Sequence, residues 1–240
     1  MTKIGIIIAD TTNYALANNA LVNTIQKINP EHVITFTDHP DLWNEYDKHL
    51  IPKIQNIKEY EKIVLQTTVD YLKLDHYLVI QYDGFVLDAN RFDPHFLDFD
   101  YIGAPWPHLD NNNVGNGGFS LRSRRLMEAV AENVELKNEN DPEDIFICRS
   151  IRGMLESKYD VKFPPQELAQ RFSFEMPFQT RQTFGFHGVH NLPIVYQNNL
   201  EFLFENLPDD FLKARRNQLY FSSLFVDDET KQKLFKLMDF

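Results

Sequence analysis

The sequence predicts an α/β protein, and two observations carry that prediction. A continuous apolar run at residues 4–9 is the pattern of a strand buried on both faces of a sheet. Apolar residues at helical spacing over 14–29 then lead to a second apolar strand at 33–37. A strand, a helix and a strand in this order predict a parallel pair joined by a right-handed crossover.

The remaining elements follow from local patterns. Asn29 and Pro30 end the first helix, since proline cannot continue it. Residues 77–80 form another buried strand, whereas 42–57 shows no clear pattern. We also predict helices over 63–74, 123–133 and 141–156 and strands over 85–87 and 117–121.

Nothing in the sequence divides the chain of 240 residues. It contains no repeat, no low-complexity linker and no shift in composition. We therefore expect one domain over 1–240, with a mixed sheet flanked by helices in a core of about 1–195 and a helical C-terminal appendage over about 196–240.

Composition limits both function and compartment. The formal net charge of −11 argues against a nucleic-acid-binding surface, and an anionic ligand needs a local cation, oriented N–H groups or arginines. Cys148 is the only cysteine, which predicts a reducing compartment. No stretch approaches about 18 consecutive apolar residues, and 4–9 is too short for a signal peptide. We expect a cytoplasmic protein, at most peripheral at the inner face of a membrane.

Asp83 follows the predicted strand 77–80, in a segment that reads Gln-Tyr-Asp-Gly. In parallel sheets, ligands gather at the carboxyl ends of strands. A carboxylate there suits Mg²⁺ or Mn²⁺ that bridges diphosphate oxygens. The alternative is an ordinary turn aspartate before a glycine.

The segment 115–123, Gly-Asn-Gly-Gly-Phe-Ser-Leu-Arg-Ser, is the most distinctive of the chain. Its adjacent glycines let a sugar or phosphate lie against the main chain, although a glycine turn before a basic helix is the alternative. It lacks the ending of a P-loop, and it precedes a strand, unlike the dinucleotide fingerprint. The ligand-binding candidates here are Asn116, Gly117, Gly118 and Arg122, with Arg124 and Arg125 adding positive charge.

Acidic residues open the predicted helix 141–156. Asp141 fits the N-cap and Pro142 the first helical position, and Glu143 and Asp144 complement the helix dipole. A catalytic interpretation competes with this structural one. In it, Asp144 is kept ionised by the dipole and acts as general base towards an acceptor hydroxyl.

Two aromatic segments add candidates. His187 lies in the segment Phe-Gly-Phe-His-Gly at 184–188. Its imidazole could be a metal ligand, a hydrogen-bond donor to phosphate or a half-buried structural histidine. Trp106 lies in Gly-Ala-Pro-Trp-Pro at 103–107, where two prolines stiffen an exposed-looking loop. Its indole suits stacking on the C–H face of a sugar, and core packing is the alternative.

The order of these segments resembles the core of the GT-A glycosyltransferases. The segments 81–83, 101–106, 115–123, 142–144 and 184–188 look like the signature of a largely uncharacterised GT-A-like family found in bacterial and viral surface-glycan gene sets. The resemblance runs from the N-terminus to about residue 190 and leaves out the tail.

This resemblance implies a role for each candidate. Asp83, matching the last acid of the metal-binding pattern, and His187 would hold Mn²⁺ or Mg²⁺, and Gln81 stands where the first acid usually is. Asp144 would be the catalytic base, with Glu143 contacting donor or acceptor. The donor-binding set comprises Ala9, Asp10, Thr11, Asp38, Gln81, Tyr82, Asn116, Gly117, Gly118 and Arg122, and Trp106 is assigned to the acceptor.

The implied function is a nucleotide-sugar-dependent glycosyltransferase of the hexosyltransferase type in surface polysaccharide synthesis. A UDP-sugar donor, a glycan or lipid-linked glycan acceptor and inversion by Asp144 are expected, and Gln81 weakens the cation site. One alternative is a retaining transferase, and another is a non-catalytic glycan-binding or degenerate domain. A nucleotidyltransferase is disfavoured because residues 10–13 lack glycine and basic side chains.

The tail leaves two interpretations open. Residues 231–238 are amphipathic and basic, so they form either a helix packed on the domain or a second subunit, or a peripheral contact with a membrane that carries a lipid-linked acceptor.

Overall fold

The computed structural model of the protein describes residues 3–106, 110, 112–176, 182–207 and 209–237. Its centre is one six-stranded mixed sheet. The strands are β1 (Ile4–Ala9), β2 (His32–Thr37), β3 (Asp47–Leu50), β4 (His76–Ile80), β5 (Tyr101–Ile102) and β6 (Ser120–Ser123).

The strand order β3-β2-β1-β4-β6-β5 locates the topological switch point of the sheet. β1 to β4 are mutually parallel, and β6 runs antiparallel to both β4 and β5. This confirms the predicted mixed α/β sheet. The chain leaves β1 towards β2 and β3 and returns on the other side at β4, so the topological switch point lies between β1 and β4. Ligand crevices form outside the carboxyl ends of strands at such a point.

Helices cover both faces of the sheet. Ile7 belongs to a core shared with α2 (Ile57–Leu65), α3 (Arg124–Ala131) and α5 (Arg152–Tyr159). Ile6 and Ile8 point to the opposite core, shared with α1 (Tyr14–Ile28) and α6 (Gln166–Phe172). Alternating residues of β1 therefore serve two cores, because successive side chains of a strand point to opposite faces.

The helix predicted at 63–74 is wrong in its boundaries. α2 spans Ile57–Leu65, and a 3-10 helix follows at Thr67–Tyr71. The helix begins earlier because Asn56 and Glu59 form a reciprocal cap. Asn56 Oδ1 accepts from the Glu59 N–H at 3.1 Å, and the Glu59 carboxylate accepts from the side-chain Nδ2 of Asn56 at 3.1 Å.

The helix predicted at 141–156 is broken into three parts. α4 (Glu143–Ile145) is followed by a π turn at Phe146–Ser150 and then by α5. Pro142, not Asp141, occupies the N-cap position. The carboxylate of Asp141 instead accepts from Ser150 Oγ at 2.7 Å, across the π turn. Further 3-10 segments lie at Ala89–Arg91, Pro94–Asp98, Val134–Leu136 and Val189–Asn191.

The structure also differs from the short strands predicted at 85–87 and 117–121. Val86 makes only an isolated antiparallel bridge to Gly185, and β6 begins at Ser120, beyond the glycine pair. A separate two-stranded parallel sheet pairs β7 (Ser173–Phe174) with β8 (Gly185–Phe186).

The tail is helical, with α7 (Leu192–Val195), α8 (Leu200–Asn206), α9 (Asp209–Ser223) and α10 (Asp228–Leu237). Leu203 and Leu234 are fully buried in a third core that also contains Leu16 of α1. Residues 231–237 therefore form a helix packed on the domain, and residue 238 lies outside the described residues. None of the helices in the described part of the chain has the length and apolar character to cross a bilayer.

Candidate active site

A cavity of about 220 Å³ opens at the switch point, and we call it the switch-point cleft. The loop after β1 forms one wall, the turn after β4 another and the start of α2 a third. Five of the residues predicted to bind the donor line it, as the carboxyl-end rule requires. The lining consists of Ala9, Asp10, Thr11, Thr12, Asn13, Ile54, Ile57, Tyr60, Gln81 and Tyr82.

The loop after β1 is held in shape by its own polar side chains. Asp10 Oδ1 accepts from the N–H groups of Thr12 at 2.7 Å and Asn13 at 2.6 Å. Thr11 Oγ1 accepts from the Ile54 N–H at 2.9 Å, which ties the loop to the segment before α2. Burial raises the pKa of Asp10, because a carboxylate loses hydration there. These side chains shape the cleft wall.

Asp38, the remaining residue predicted to hold the nucleoside, is not among the residues that line the cleft. Its Oδ1 accepts from Tyr14 Oη at 2.7 Å. That hydrogen bond raises the pKa of Tyr14 to about 12. Asp38 therefore anchors the start of α1 through Tyr14, and its contact with a nucleoside stays a prediction.

Asp83 and His187 meet beside the cleft. Asp83 is 7% exposed, and its Oδ1 is buried without a hydrogen-bond partner. That oxygen lies 3.8 Å from His187 Nε2, which is also 3.3 Å from Gln81 Oε1. The Gln81 amide is oriented because its Nε2 donates to Tyr60 Oη at 2.6 Å. A carboxylate oxygen, an imidazole nitrogen and an amide oxygen thus converge.

Backbone hydrogen bonds bring these distant residues together. The His187 N–H donates to the Phe174 carbonyl at 3.0 Å, continuing the β7/β8 pairing. The Gly188 N–H donates to the Asp83 carbonyl at 2.9 Å. Gly188 has φ of 103°, a conformation that favours glycine. The glycine after His187 therefore allows the chain to dock on the turn after β4.

The electrostatics of His187 depend on the acids around it. Glu175 Oε1 lies 3.9 Å from His187 Nδ1. Burial alone would lower the pKa of His187, but Asp83 and Glu175 outweigh it and raise that pKa, and Asp144 acts in the same direction. Burial likewise works to raise the pKa of Glu175, and His187 outweighs it and lowers that pKa. No sequence pattern marked Glu175, which lies in an irregular aromatic stretch.

The converging atoms fit a hard divalent cation. A buried carboxylate oxygen without a partner is costly unless a ligand satisfies it, and oxygen donors with one imidazole suit Mn²⁺ or Mg²⁺. Within the residues that the structure describes, no group of three His, Cys, Asp or Glu side chains could hold a metal. The available set is therefore Asp83 and His187, with Gln81 supplying an amide oxygen.

The glycine pair packs against protein side chains in the direction that a Cβ would take, and its predicted contact with a sugar or phosphate stays a prediction. A Cβ on Gly117 would lie 1.6 Å from Glu143 Oε1. One on Gly118 would lie 2.1 Å from His187 Nε2. Asn116, next to the pair, has φ of 69° and a buried Oδ1 without a partner. The glycines make room for the acid and the imidazole of the site.

Arg122 and Glu143 form a buried ion pair, so neither side chain faces a ligand. Arg122 is 1% exposed, and its Nη2 donates to Glu143 Oε1 at 2.9 Å and Oε2 at 3.1 Å. The same nitrogen donates to the Gly117 carbonyl at 3.2 Å, and Nε donates to Ser120 Oγ at 2.9 Å. Burial raises the pKa of Glu143, whereas Arg122 opposes that shift. The predicted contacts of Arg122 and Glu143 with donor or acceptor are corrected.

The other two arginines predicted to supply positive charge are also paired. Arg124 Nε lies 2.7 Å from Glu128 Oε1. Arg125 Nη2 lies 2.6 Å from Asp100 Oδ2. The arginines around the glycine segment therefore stabilise β6 and α3, and a bound diphosphate would need another source of positive charge.

Asp144 is half-buried and follows Glu143, whose carboxylate is held by Arg122. Its Oδ1 accepts from the Ile145 N–H at 2.8 Å. The Arg122–Glu143 pair fixes the first turn of α4 to the glycine segment. The negative charge of Asp144 acts to raise the pKa of His187.

Trp106 lies in the core, and the expectation of an exposed loop around it is wrong. It is 8% exposed and belongs to the core shared by α2, α3 and α5. A Cβ on Gly115 would lie 2.0 Å from its indole ring. Pro107, the second proline of the predicted loop, lies outside the described residues. Core packing, the alternative interpretation, describes this tryptophan, and stacking on an acceptor sugar is not supported.

Gly117→Ala should destabilise the fold by about 1–3 kcal/mol, because its Cβ would overlap the buried Glu143 carboxylate. Gly153→Ala is the matched control, since a Cβ there meets nothing within 4 Å in helix α5. It should stabilise by about 0.5–1 kcal/mol. Urea unfolding of both variants measures the difference, and equal effects at the two positions would refute the close packing of Gly117.

No curated protein matches the chain. A solved structure titled "Crystal structure of a glycosyltransferase involved in the glycosylation of the major capsid of PBCV-1" is similar, with a TM-score of 0.51 and 10% sequence identity. The match covers 78% of this chain and 93% of that chain. At this identity the likeness shows a shared glycosyltransferase-like Rossmann-type fold.

The family described as "Protein of unknown function (DUF5672)" matches residues 45–187. That range is more than half of the chain and contains Asp83, Asp144 and His187. The chain therefore belongs to this family.

Proposed function

We propose that the protein is a nucleotide-sugar-dependent glycosyltransferase of the hexosyltransferase type. It moves a sugar from a UDP-sugar to a glycan or lipid-linked glycan acceptor in surface polysaccharide synthesis. The observation that carries this proposal is a buried Asp83 oxygen that lacks a hydrogen bond and lies 3.8 Å from His187 Nε2, beside a cleft at the switch point. The fold shared with a glycosyltransferase supports it.

The nucleoside of the donor occupies the switch-point cleft. Tyr60 and Tyr82 give it aromatic walls, and Ile54 and Ile57 add apolar surface. A flat base next to aromatic rings gains from stacking and from removal of apolar area from water. The diphosphate then extends towards Gln81, which lines the cleft and contacts the cation set.

The diphosphate needs positive charge, because the chain carries a net charge of −11 and the arginines nearby are paired. Asp83 and His187, with the amide oxygen of Gln81, would hold Mn²⁺ or Mg²⁺. When bound, such a cation would supply Lewis-acid neutralisation of the nucleotide diphosphate. Gln81 in place of a carboxylate lowers the charge of the ligand set, so these residues would hold a cation weakly.

Asp144 performs the proton transfer. It removes the proton from the acceptor hydroxyl as that oxygen attacks the anomeric carbon from the face opposite the leaving group. The product therefore has inverted configuration. Glu143 contributes by holding α4 in place through Arg122, since its carboxylate is already bound.

The compartment is part of the same proposal. Cys148 is buried and free, as in proteins of reducing compartments. The protein works in the cytoplasm, at the inner face of the membrane when its acceptor is lipid-linked.

Nucleotide release from a panel of nucleotide sugars tests the function. With Mn²⁺ present, the protein should release UDP from a UDP-sugar, with water or an added glycan as acceptor. Asp83→Asn should reduce that release by at least about 10-fold, since it weakens the hold on the cation. NMR of the sugar product should show an inverted anomeric carbon. Retained configuration would remove Asp144 as base, and release from no nucleotide sugar would contradict the enzyme assignment.

A further inference from the structure

A second cavity, of about 540 Å³, lies on the other side of the segment before α2. It is larger than the switch-point cleft and falls within the size range of ligand sites, roughly 300–1,000 Å³. We call it the lysine groove. It is lined by Ile51, Pro52, Lys53, Ile54, Gln55, Glu59, Lys62, Ile63 and Thr67.

The lining of the groove combines aliphatic side chains with two lysines that have no acidic partner among the described residues. Ile51, Ile54 and Ile63 provide branched apolar surface, and the lining contains no aromatic ring. Lys53 and Lys62 are exposed, and among the described residues neither ammonium group has an acidic partner. Several other described lysines are paired with an acid, such as Lys58 with Glu139 and Lys137 with Glu61.

The one acid in the lining is turned towards the helix cap. Glu59 Oε2 accepts from the Gln55 N–H at 2.8 Å, and Oε1 accepts from Asn56 Nδ2 at 3.1 Å. The carboxylate is thus used by the cap of α2, and Lys53 and Lys62 set the charge of the groove. In a chain with a net charge of −11, two free lysines in one groove form a local anion-binding surface.

Two exposed apolar side chains extend the floor. Leu50 is 62% exposed and Ile57 is 65% exposed, the two largest values among the exposed large hydrophobic residues described. They directly precede and follow the segment 51–56. A ligand with an apolar chain would cover this surface, which is otherwise in contact with water. Each methylene that is buried raises the affinity about three- to fourfold.

We propose that the lysine groove binds an anionic amphiphile, an aliphatic chain with a phosphate head. The absence of aromatic rings from its lining separates it from the switch-point cleft, where Tyr60 and Tyr82 suit a base. Ile54 lines both cavities, and its N–H is bound to Thr11 in the cleft wall. If the proposed function holds, the groove carries the phosphorylated lipid end of the acceptor next to the donor.

Isothermal titration with alkyl phosphates tests the binding directly. Octyl phosphate below its micelle concentration should bind the wild-type protein, and affinity should rise steadily from inorganic phosphate through butyl to octyl phosphate. Lys53→Gln with Lys62→Gln should weaken octyl phosphate binding by at least about 10-fold, since charge-assisted hydrogen bonds are lost. Lys162→Gln with Lys236→Gln, exposed lysines outside the groove, should leave it unchanged.

Several outcomes would overturn the proposal. Equal binding of inorganic phosphate and octyl phosphate would mean a free-phosphate site without a chain. Equal loss in both double variants, or no loss in either, would place any binding elsewhere, and displacement by UDP would assign the groove to the donor. Because the readout is independent of sugar transfer, an octyl phosphate site in a protein that fails to bind any nucleotide would refute the proposed function alone.

Discussion

Asp144→Asn should lower sugar transfer by at least about 100-fold and leave nucleotide binding nearly unchanged. The amide has nearly the shape of the carboxylate but cannot accept the acceptor's proton, and general-base assistance is worth roughly 10²–10⁴-fold. The loss should appear in kcat, since Asp144 is assigned to the reacting hydroxyl and not to the donor. Steady-state kinetics with the UDP-sugar that supports release, together with titration of UDP, separate the two quantities.

Asp141→Asn is the matched control for that experiment. It makes the same change three residues earlier, where the carboxylate accepts from Ser150 Oγ and the cleft is not involved. Its transfer rate should stay within about threefold of wild type, since a lost surface hydrogen bond costs little. Near wild-type transfer by Asp144→Asn would refute the base assignment, and an equal loss in Asp141→Asn would point to disruption of the helix.

Glu143→Ala should destabilise the protein by about 3–5 kcal/mol. The change leaves the Arg122 guanidinium, 1% exposed, without its carboxylate partner, and an uncompensated buried charge is costly. That loss is a large part of the roughly 5–15 kcal/mol that stabilises a typical domain. Glu143→Gln, which keeps a hydrogen-bond acceptor, should lose less and gives a measurable variant if the alanine variant does not fold.

The reverse experiment separates an ion pair from simple packing. Arg122→Met combined with Glu143→Leu removes both charges and should recover much of the stability lost in Glu143→Ala. Urea unfolding of the single and double variants gives the coupling free energy. A loss below about 1 kcal/mol in Glu143→Ala would contradict the buried pair. So would a double variant whose loss is the sum of the single losses.

The sheet and the position of the site follow from local sequence patterns. Apolar runs define β1, β2 and β4, and parallel strands direct their carboxyl ends to one edge. That is why the segment of Gln81 and Asp83 could be placed at a site in advance, whereas Asp10 was assigned to the same site only through the resemblance to the GT-A family. The meeting of Asp83 with His187 confirms only their proximity, and their role as cation ligands stays a prediction.

Most of the errors in the site involve partners that are distant in sequence. Arg122 and Glu143 each look like ligand-binding residues when considered alone, because a sequence does not show that one neutralises the other across 21 positions. Trp106 between prolines looked exposed, yet Gly115 provides the space that lets its indole enter the core. Glu175 carried no signal, because only the β7/β8 pairing brings it to His187. Burial and pairing of this kind are properties of the folded chain.

A thermal-shift measurement with UDP, GDP, TDP and CMP, each with and without Mn²⁺, tests the central claim most directly. Ligand at about 100 times its Kd stabilises by about 2.7 kcal/mol, which corresponds to roughly 5–10 °C in Tm for a protein of this size. The account predicts such a shift with UDP that requires Mn²⁺ and disappears in Asp83→Asn. A shift without Mn²⁺ would keep the donor site but remove the cation from it, and no shift with any of the four nucleotides would contradict the donor site at the switch point.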